Sequence, residues 1–384
     1  MTVEMPGQGV VFWPVGCGDS TTVVVDEDRW LQIDLNHLAD ADEEDSVYTK
    51  VVDELIDRLP KRNKRPYLAV FALTHPDQDH CRGFERLLEE VDIGELWFTP
   101  RLFDEVSDDL CDDAEAFKKE ADRRVAKTIE NSPPKSGDRV RLIGYSDRLK
   151  EDKYKGFPED RLTVPGNSLD TLDDEDLSDV FRAFIHAPFK DNLYEGRDRN
   201  DTSLAMQVRL IHDGGASNLL VFGDHSYPGL RKVVDSTTDD TNLSWGLLLA
   251  PHHCSKSAMY WSDTSDGEAT LRQDILDDLK SHKVEPGYVI SSSKPVPSSN
   301  QKGDNPPHAK AKSRYQELVE SSHFVVTQEE PSEATPEAIV FSATADGFER
   351  QSESSTESEE NQAKKTVSAA ISAPSSPRSP QRYG

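Results

Sequence analysis

The chain has 384 residues and a formal charge of -28, from 72 acidic against 44 basic side chains. That surplus repels a long nucleic-acid backbone and so excludes tight non-specific binding of duplex DNA as the main role, while 35% apolar and 8% aromatic content is enough to bury a core. No apolar run approaches membrane-spanning length, and the opening MTVEMPGQGVVFWP lacks the basic flank and apolar stretch of a signal peptide, so a soluble, cytoplasmic protein with no membrane partner is expected.

In chain order, GVVFWPVG (9–16) and STTVVVDEDRWLQIDL (20–35) read as the opening strands, with Gly16 and Gly18 marking the turn between them. VYTKVVDELIDRL (47–59) carries apolar residues at helical spacing, and YLAVFAL (67–73) is a short apolar run of the kind that fills a sheet interior. GFERLLEEV (83–91) is helical again. Residues 101–178 read as an insert, helical and acidic at first, then polar and turn-rich; they either shape a pocket or form a tolerated surface addition. Further strands are expected at 179–187, 203–212, 217–224, 245–253 and 287–293, followed by a proline-broken loop at 291–312. From 349 to 384 the composition turns to Ser, Glu and Pro with almost no aromatic residue, which predicts a disordered tail, either inert, the favoured reading, or carrying in SPRSP a phosphorylation or docking segment for a protein partner. The four cysteines, Cys17, Cys81, Cys111 and Cys254, show no CxxC spacing and fit a reducing compartment. Strands alternating with helices, and polar clusters where strands end, predict a layered α/β sandwich with function at one edge.

The densest cluster is FALTHPDQDHCRG (71–83), where His75, Asp77, Asp79 and His80 fall within six positions directly after a buried strand. Imidazole and carboxylate are the ligand types that bind Zn, Mn or Fe, and this spacing lets one turn aim several of them at one point. Two cations about 3.5–4 Å apart need more ligands than one turn supplies. Other strand ends offer them: His186 in FIHAP, Asp224 in VFGDHS, and His252 and His253 in LAPHHCS. A lone histidine is more often structural, but four strand ends carrying His or Asp point to metal.

THPDQDH (74–80) resembles the HxHxDH signature of the metallo-beta-lactamase superfamily, with Asp77 at the middle His position. Together with PVGCGDSTTVVV (14–25), QIDLN (32–36), NDTSLAMQV (200–208), LLVFGD (219–224) and APHHCSKSA (250–258), it is similar to the hydrolase domain of bacterial DNA-uptake competence proteins. The resemblance implies a four-layer αββα sandwich over residues 1–348 and two divalent metal ions, Zn or Mn. In that scheme His75, Asp77 and His186 hold the first ion, Asp79, His80 and one of His252 and His253 the second, and Asp224 bridges them. Asp34 orients the signature loop from behind, and His308 in NPPHAKAK stands at the site mouth. Cys254 and Cys17 depart from the subgroup, which has Gly and Gln there; Cys254 is either a soft ligand or a small buried side chain, and Cys81 poses the same choice.

The chemistry implied is hydrolysis by a metal-bridged hydroxide, with Asp79 and Asp224 orienting it and Lys256 or His308 stabilising developing negative charge. A phosphodiesterase or nuclease acting on a small phosphodiester or oligonucleotide is the leading expectation. Amide, lactam or ester hydrolysis is a second, and a non-catalytic, metal-stabilised scaffold a third. Local positives at Lys256, Lys302, Lys310 and Lys312 would steer a short anionic substrate inward despite the acidic body.

Overall fold

The computed structural model describes residues 4–104, 110–194, 199–212, 214–264, 267–301 and 303–351. The expected tail lies outside the described residues from 352 onward. The strand Gly347–Arg350 crosses the boundary expected at 348.

Alternation along the strands dictates the layers. Val10 and Phe12, Val23 and Val25, and Leu31 and Ile33 face one apolar cluster, while Val11, Trp13, Val24 and Trp30 face another. Leu219, Val221, Leu247 and Leu249 join the first cluster from a second sheet, whereas Leu220, Phe222 and Leu248 point to a third. A strand buried on both faces has this period of two, and three apolar clusters separate four layers. The outer face of the first sheet is covered by the helices Val51–Arg58, Phe84–Glu90 and Asp112–Glu130, and that of the second by Tyr227–Ser236, Gln273–Ser281 and Ala309–Tyr315. The fold is the four-layer αββα sandwich typical of the metallo-beta-lactamase fold.

Each sheet is mixed. The first runs Gly347–Arg350, Ile339–Thr344, Gly9–Phe12, Thr21–Val24, Trp30–Ile33, Arg65–Ala72, Asp92–Phe98, Arg139–Ile143, Leu162–Thr163, and is parallel from Trp30–Ile33 onward. The second runs Ser168–Leu169, Phe181–Ala187, Ala205–His212, Gly215–Val221, Trp245–Leu249, Lys283–Ser291, Phe324–Val326, and is parallel from Gly215–Val221 onward. No described helix is long and apolar enough to cross a membrane.

Segment 101–178 is part of this framework. Ala114, Phe117, Ala121 and Val125 recur every three or four residues and put one face of the Asp112–Glu130 helix into the core. The Phe117 ring lies 4.8 Å from Phe84, 5.9 Å from Phe71 and 6.0 Å from Phe98. Arg139–Ile143 then extends the sheet. Phe117→Ala is therefore expected to cost about 3–5 kcal/mol, read as a lower urea midpoint; an unchanged midpoint would mark the segment as a detachable addition.

Candidate metal centre

Both parallel halves deliver polar side chains at the C-terminal ends of their strands, the edge where α/β sheets bind ligands. Asp34 follows Trp30–Ile33, and Thr74 and His75 follow its parallel neighbour Arg65–Ala72. Asp224 follows Gly215–Val221, and His252 and His253 follow its neighbour Trp245–Leu249. Backbone bonds tie these ends together: Leu204 N–H donates to Thr74 O (2.9 Å), His252 N–H to Gly223 O (3.1 Å) and Asp19 N–H to Asp79 O (3.1 Å). The last contact needs Gly18, at φ +149°, because a Cβ there would meet Asn36 Nδ2 at 2.1 Å and Asp79 O at 2.7 Å.

Asp224 divides the centre. Its Oδ1 lies 3.3 Å from His80 Nε2 and 3.7 Å from His253 Nε2, while its Oδ2 lies 3.4 Å from His252 Nε2 and 3.7 Å from His75 Nε2. Asp77 Oδ2 stands 3.6 Å from His75 Nε2 on the second side, and Asp79 Oδ2 stands 3.3 Å from His253 Nε2 on the first. His75, His80 and Asp224 form one buried group whose ligand atoms lie within 4.8 Å of one another, and Asp19, His80 and His253 form another.

The rings are aimed from behind. Thr74 donates from its backbone N–H to Asp34 Oδ1 (2.7 Å) and from its hydroxyl to Asp34 Oδ2 (2.6 Å); that oxygen also lies 2.8 Å from His80 Nδ1. A carboxylate on Nδ1 leaves Nε2 for a cation, the usual support of a metal-bound imidazole. Asp19 Oδ1 lies 3.4 Å from His253 Nδ1, an ion-pair approach without a hydrogen bond.

The donor set fits a metal on the structure's own terms. Among the described residues, the buried atoms His75 Nε2, His80 Nε2, His253 Nε2 and Asp224 Oδ1 have no hydrogen-bond partner, and buried polar atoms without one are rare and call for a reason. Burial opposes charge on His80 and His253, yet Asp224, with Asp34 for the first and Asp19 for the second, raises both well above the usual imidazole value. Burial likewise opposes charge on Asp224, and His80, His253 and His75 hold it well below the usual carboxylate range. The centre thus favours positive charge on the rings beside an ionised carboxylate.

Most of the residues expected from sequence converge here; His186 does not. Its Nδ1 is 3.1 Å from Thr237 Oγ1 and its Nε2 3.1 Å from Asn242 O, and it lines a separate cavity with Tyr145, Phe184 and Phe189. Burial lowers its pKa to about 4, so it is a neutral, internally bonded ring. The first-metal role expected for it is corrected accordingly, because both of its nitrogens are already engaged. His308 Nδ1 accepts from Lys256 N–H (3.3 Å), and its Nε2 donates to Asp304 O (3.1 Å). Lys312 pairs with Glu329 at 3.7 Å and Lys310 sits over the Tyr260 ring, while Lys302 lies outside the described residues. Cys254 is fully buried and desolvation pushes its thiol up to about 12, which makes it a packing residue. Sequence reasoning missed Asp19, whose signal was an Asp closing the Gly-rich turn GCGDS, and Arg199, whose Nη1 pairs with Asp77 Oδ1 at 3.2 Å.

Compared with protein-family models and with curated proteins, the chain matches none. Fold and site nevertheless define the class. A metallo-beta-lactamase-type sandwich with two adjacent, buried His/Asp groups at its strand ends is a metal-dependent hydrolytic enzyme.

Asp34→Asn removes the charge behind His80 and should weaken Zn binding roughly 10–100-fold with little change in far-UV circular dichroism. Equal affinity in a competition titration would show that Asp34 does not orient the ring.

Proposed function

We propose that the protein hydrolyses phosphodiester bonds in a small or single-stranded nucleotide substrate, using two divalent cations, Zn or Mn. The observation that carries this reading is Asp224, whose two oxygens each face a separate set of His and Asp ligands. His75, Asp77 and His252 with Asp224 Oδ2 would hold one cation, and Asp79, His80 and His253 with Asp224 Oδ1 the other. His252 takes the place that the resemblance assigns to His186. Asp34 and Asp19 orient His80 and His253. When bound, the cations supply Lewis acidity and an activated water at neutral pH.

The residues divide the remaining work by burial. His75, His80, His253 and Asp224 are buried, whereas Asp77, Asp79, His252 and Lys256 are half-exposed, so substrate approaches over the latter. Asp79 and Asp224 accept hydrogen bonds from the attacking water and orient it. Lys256, whose ammonium makes no hydrogen bond or ion pair among the described residues, suits a phosphate oxygen. His308, with both nitrogens engaged, positions the Lys256 backbone. Asp77 makes its half of the centre harder than imidazole would, which supports Mn as well as Zn. A closed site suits a structural metal; half-exposed ligands support catalysis over a scaffold. The resemblance to DNA-uptake hydrolase domains favours a nucleotide, and the acidic body disfavours a duplex. All four cysteines are free thiols, in keeping with a cytoplasmic setting.

Elemental analysis after Zn or Mn loading should find two cations per chain. The loaded protein should cleave bis-p-nitrophenyl phosphate and short single strands, and Asp224→Asn should lose this by orders of magnitude while remaining folded. Lactam turnover without phosphodiester cleavage would replace the substrate class, and absence of bound metal would overturn the reading.

A further inference from the structure

The Gln78–Cys81 turn that carries Asp79 and His80 ends on a thiol that the proposed hydrolysis does not use. Cys81 is buried, and its single S–H is shared between Asp77 O (3.3 Å) and Cys111 Sγ (3.7 Å). Cys111 is half-exposed and forms the N-cap of the Asp112–Glu130 helix. From the same first turn, Asp113 accepts the backbone N–H groups of Gly83 (2.9 Å) and Glu85 (3.0 Å), so the helix start is fastened to the chain that leaves Cys81. Each thiol is therefore fixed relative to the other. A disulfide needs about 2.05 Å between sulfurs, so closure requires an approach of roughly 1.7 Å.

We propose that Cys81 and Cys111 are an oxidisable thiol pair, closed to a disulfide by a hydroperoxide, and that closure weakens metal binding by the adjoining turn. The Cys111 thiolate attacks one peroxide oxygen; the O–O bond breaks, a sulfenic acid forms, and the other oxygen leaves as water with the proton that Cys111 released. The Cys81 sulfur then attacks the sulfenic sulfur. The S–S bond forms and the hydroxyl leaves as a second water with the Cys81 proton. The sulfurs lose two electrons and the peroxide gains them, so two thiols and one hydrogen peroxide give one disulfide and two waters.

The order of attack follows from position. Cys111 is reachable from solvent and sits at a helix N-terminus, where thiolates are favoured; the Cys81 hydrogen bond and the backbone N–H of Ala114 push its thiol down to about 6 against the cost of burial. Cys81, enclosed behind it, is the resolving sulfur. Closure withdraws the Cys81 Sγ–H from Asp77 O and pulls on the residue directly after His80. The effect on metal rests on the ligand assignment proposed above; the disulfide itself does not. Cys254, buried, and Cys17, whose Sγ donates to Pro306 O at 3.6 Å, serve as internal controls.

The test treats reduced, full-length protein with hydrogen peroxide, alkylates the remaining thiols and maps peptides without reductant. A Cys81–Cys111 linkage is expected, with the chain two hydrogens lighter, Cys17 and Cys254 alkylated, and full reversal by dithiothreitol. Cys111→Ser should give no linkage, and Cys81→Ser should leave a sulfenic acid at Cys111 that dimedone traps. Zn2+ titration should show affinity at least about tenfold lower after peroxide in the wild type and unchanged in Cys111→Ser. Both thiols still alkylated, or a linkage through Cys17 or Cys254, overturns the pair. Linkage with unchanged Zn2+ affinity overturns the coupling. A reduced protein that binds no Zn2+ overturns the two-metal reading and the coupling with it, while the peptide map decides the pair regardless.

Discussion

One buried carboxylate organises the molecule. Asp224 is 3% exposed and faces four imidazoles, two on each oxygen. An ionised carboxylate in such a place costs several kcal/mol unless positive charge compensates it. Strand ends from both sheets must therefore meet around it in register. The parallel pairing of Trp30–Ile33 with Arg65–Ala72, and of Gly215–Val221 with Trp245–Leu249, brings Asp34, the signature turn, Asp224 and the histidine pair to one edge. The central apolar cluster keeps the sheets face to face, and the Leu204–Thr74 bond joins them at the edge itself.

That arrangement is held at a cost in backbone strain. Three successive residues, His252, His253 and Cys254, have φ of 49°, 52° and 65°, and Asp34 has φ 55°. Left-handed conformations cost non-glycine residues about 1–2 kcal/mol each, and persist only where the surroundings over-determine them. Here His252 N–H is held by Gly223 O, and Cys254 O accepts from His308 N–H (3.1 Å). The consequence is geometric. Adjacent residues on an ordinary helix or strand diverge, but in this turn the two rings stand at 81° with centroids 5.9 Å apart, and each aims Nε2 at a different oxygen of Asp224. A strained run at a functional centre, paid for by the rigid strands behind it, is the expected place for such a cost.

Sequence pattern made much of this legible, for physical reasons. The strand at 67–73 and those at 203–212 and 217–224 were readable because apolar runs bounded by turn residues have few other uses, and His75, Asp77, Asp79 and His80 because ligand chemistry restricts the residue types. The strand Asp92–Phe98 escaped because DIGELWF begins with polar and glycine positions, and Arg139–Ile143 because alternating arginines disguise a strand paired on both sides. Whether His252 or His253 is the ligand had no answer in sequence, and the left-handed turn that brings both rings to Asp224 leaves no compositional mark. His186 misled because it ends a buried strand, as a ligand would, but its ring bonds to Thr237 and Asn242. Asp19 was hidden by distance: its Gly-rich turn is far from the signature in sequence and meets it only in the fold, through the Asp79 carbonyl and beside the His80 ring.

The account stands or falls on the two oxygens of Asp224 serving two cations. Anomalous diffraction at the zinc edge from crystals of the Zn-loaded protein measures this directly. It should show two peaks flanking the Asp224 carboxylate, one within bonding distance of His75 and His252 and the other of His80 and His253. A single peak, or a peak bonded to His186, would contradict it.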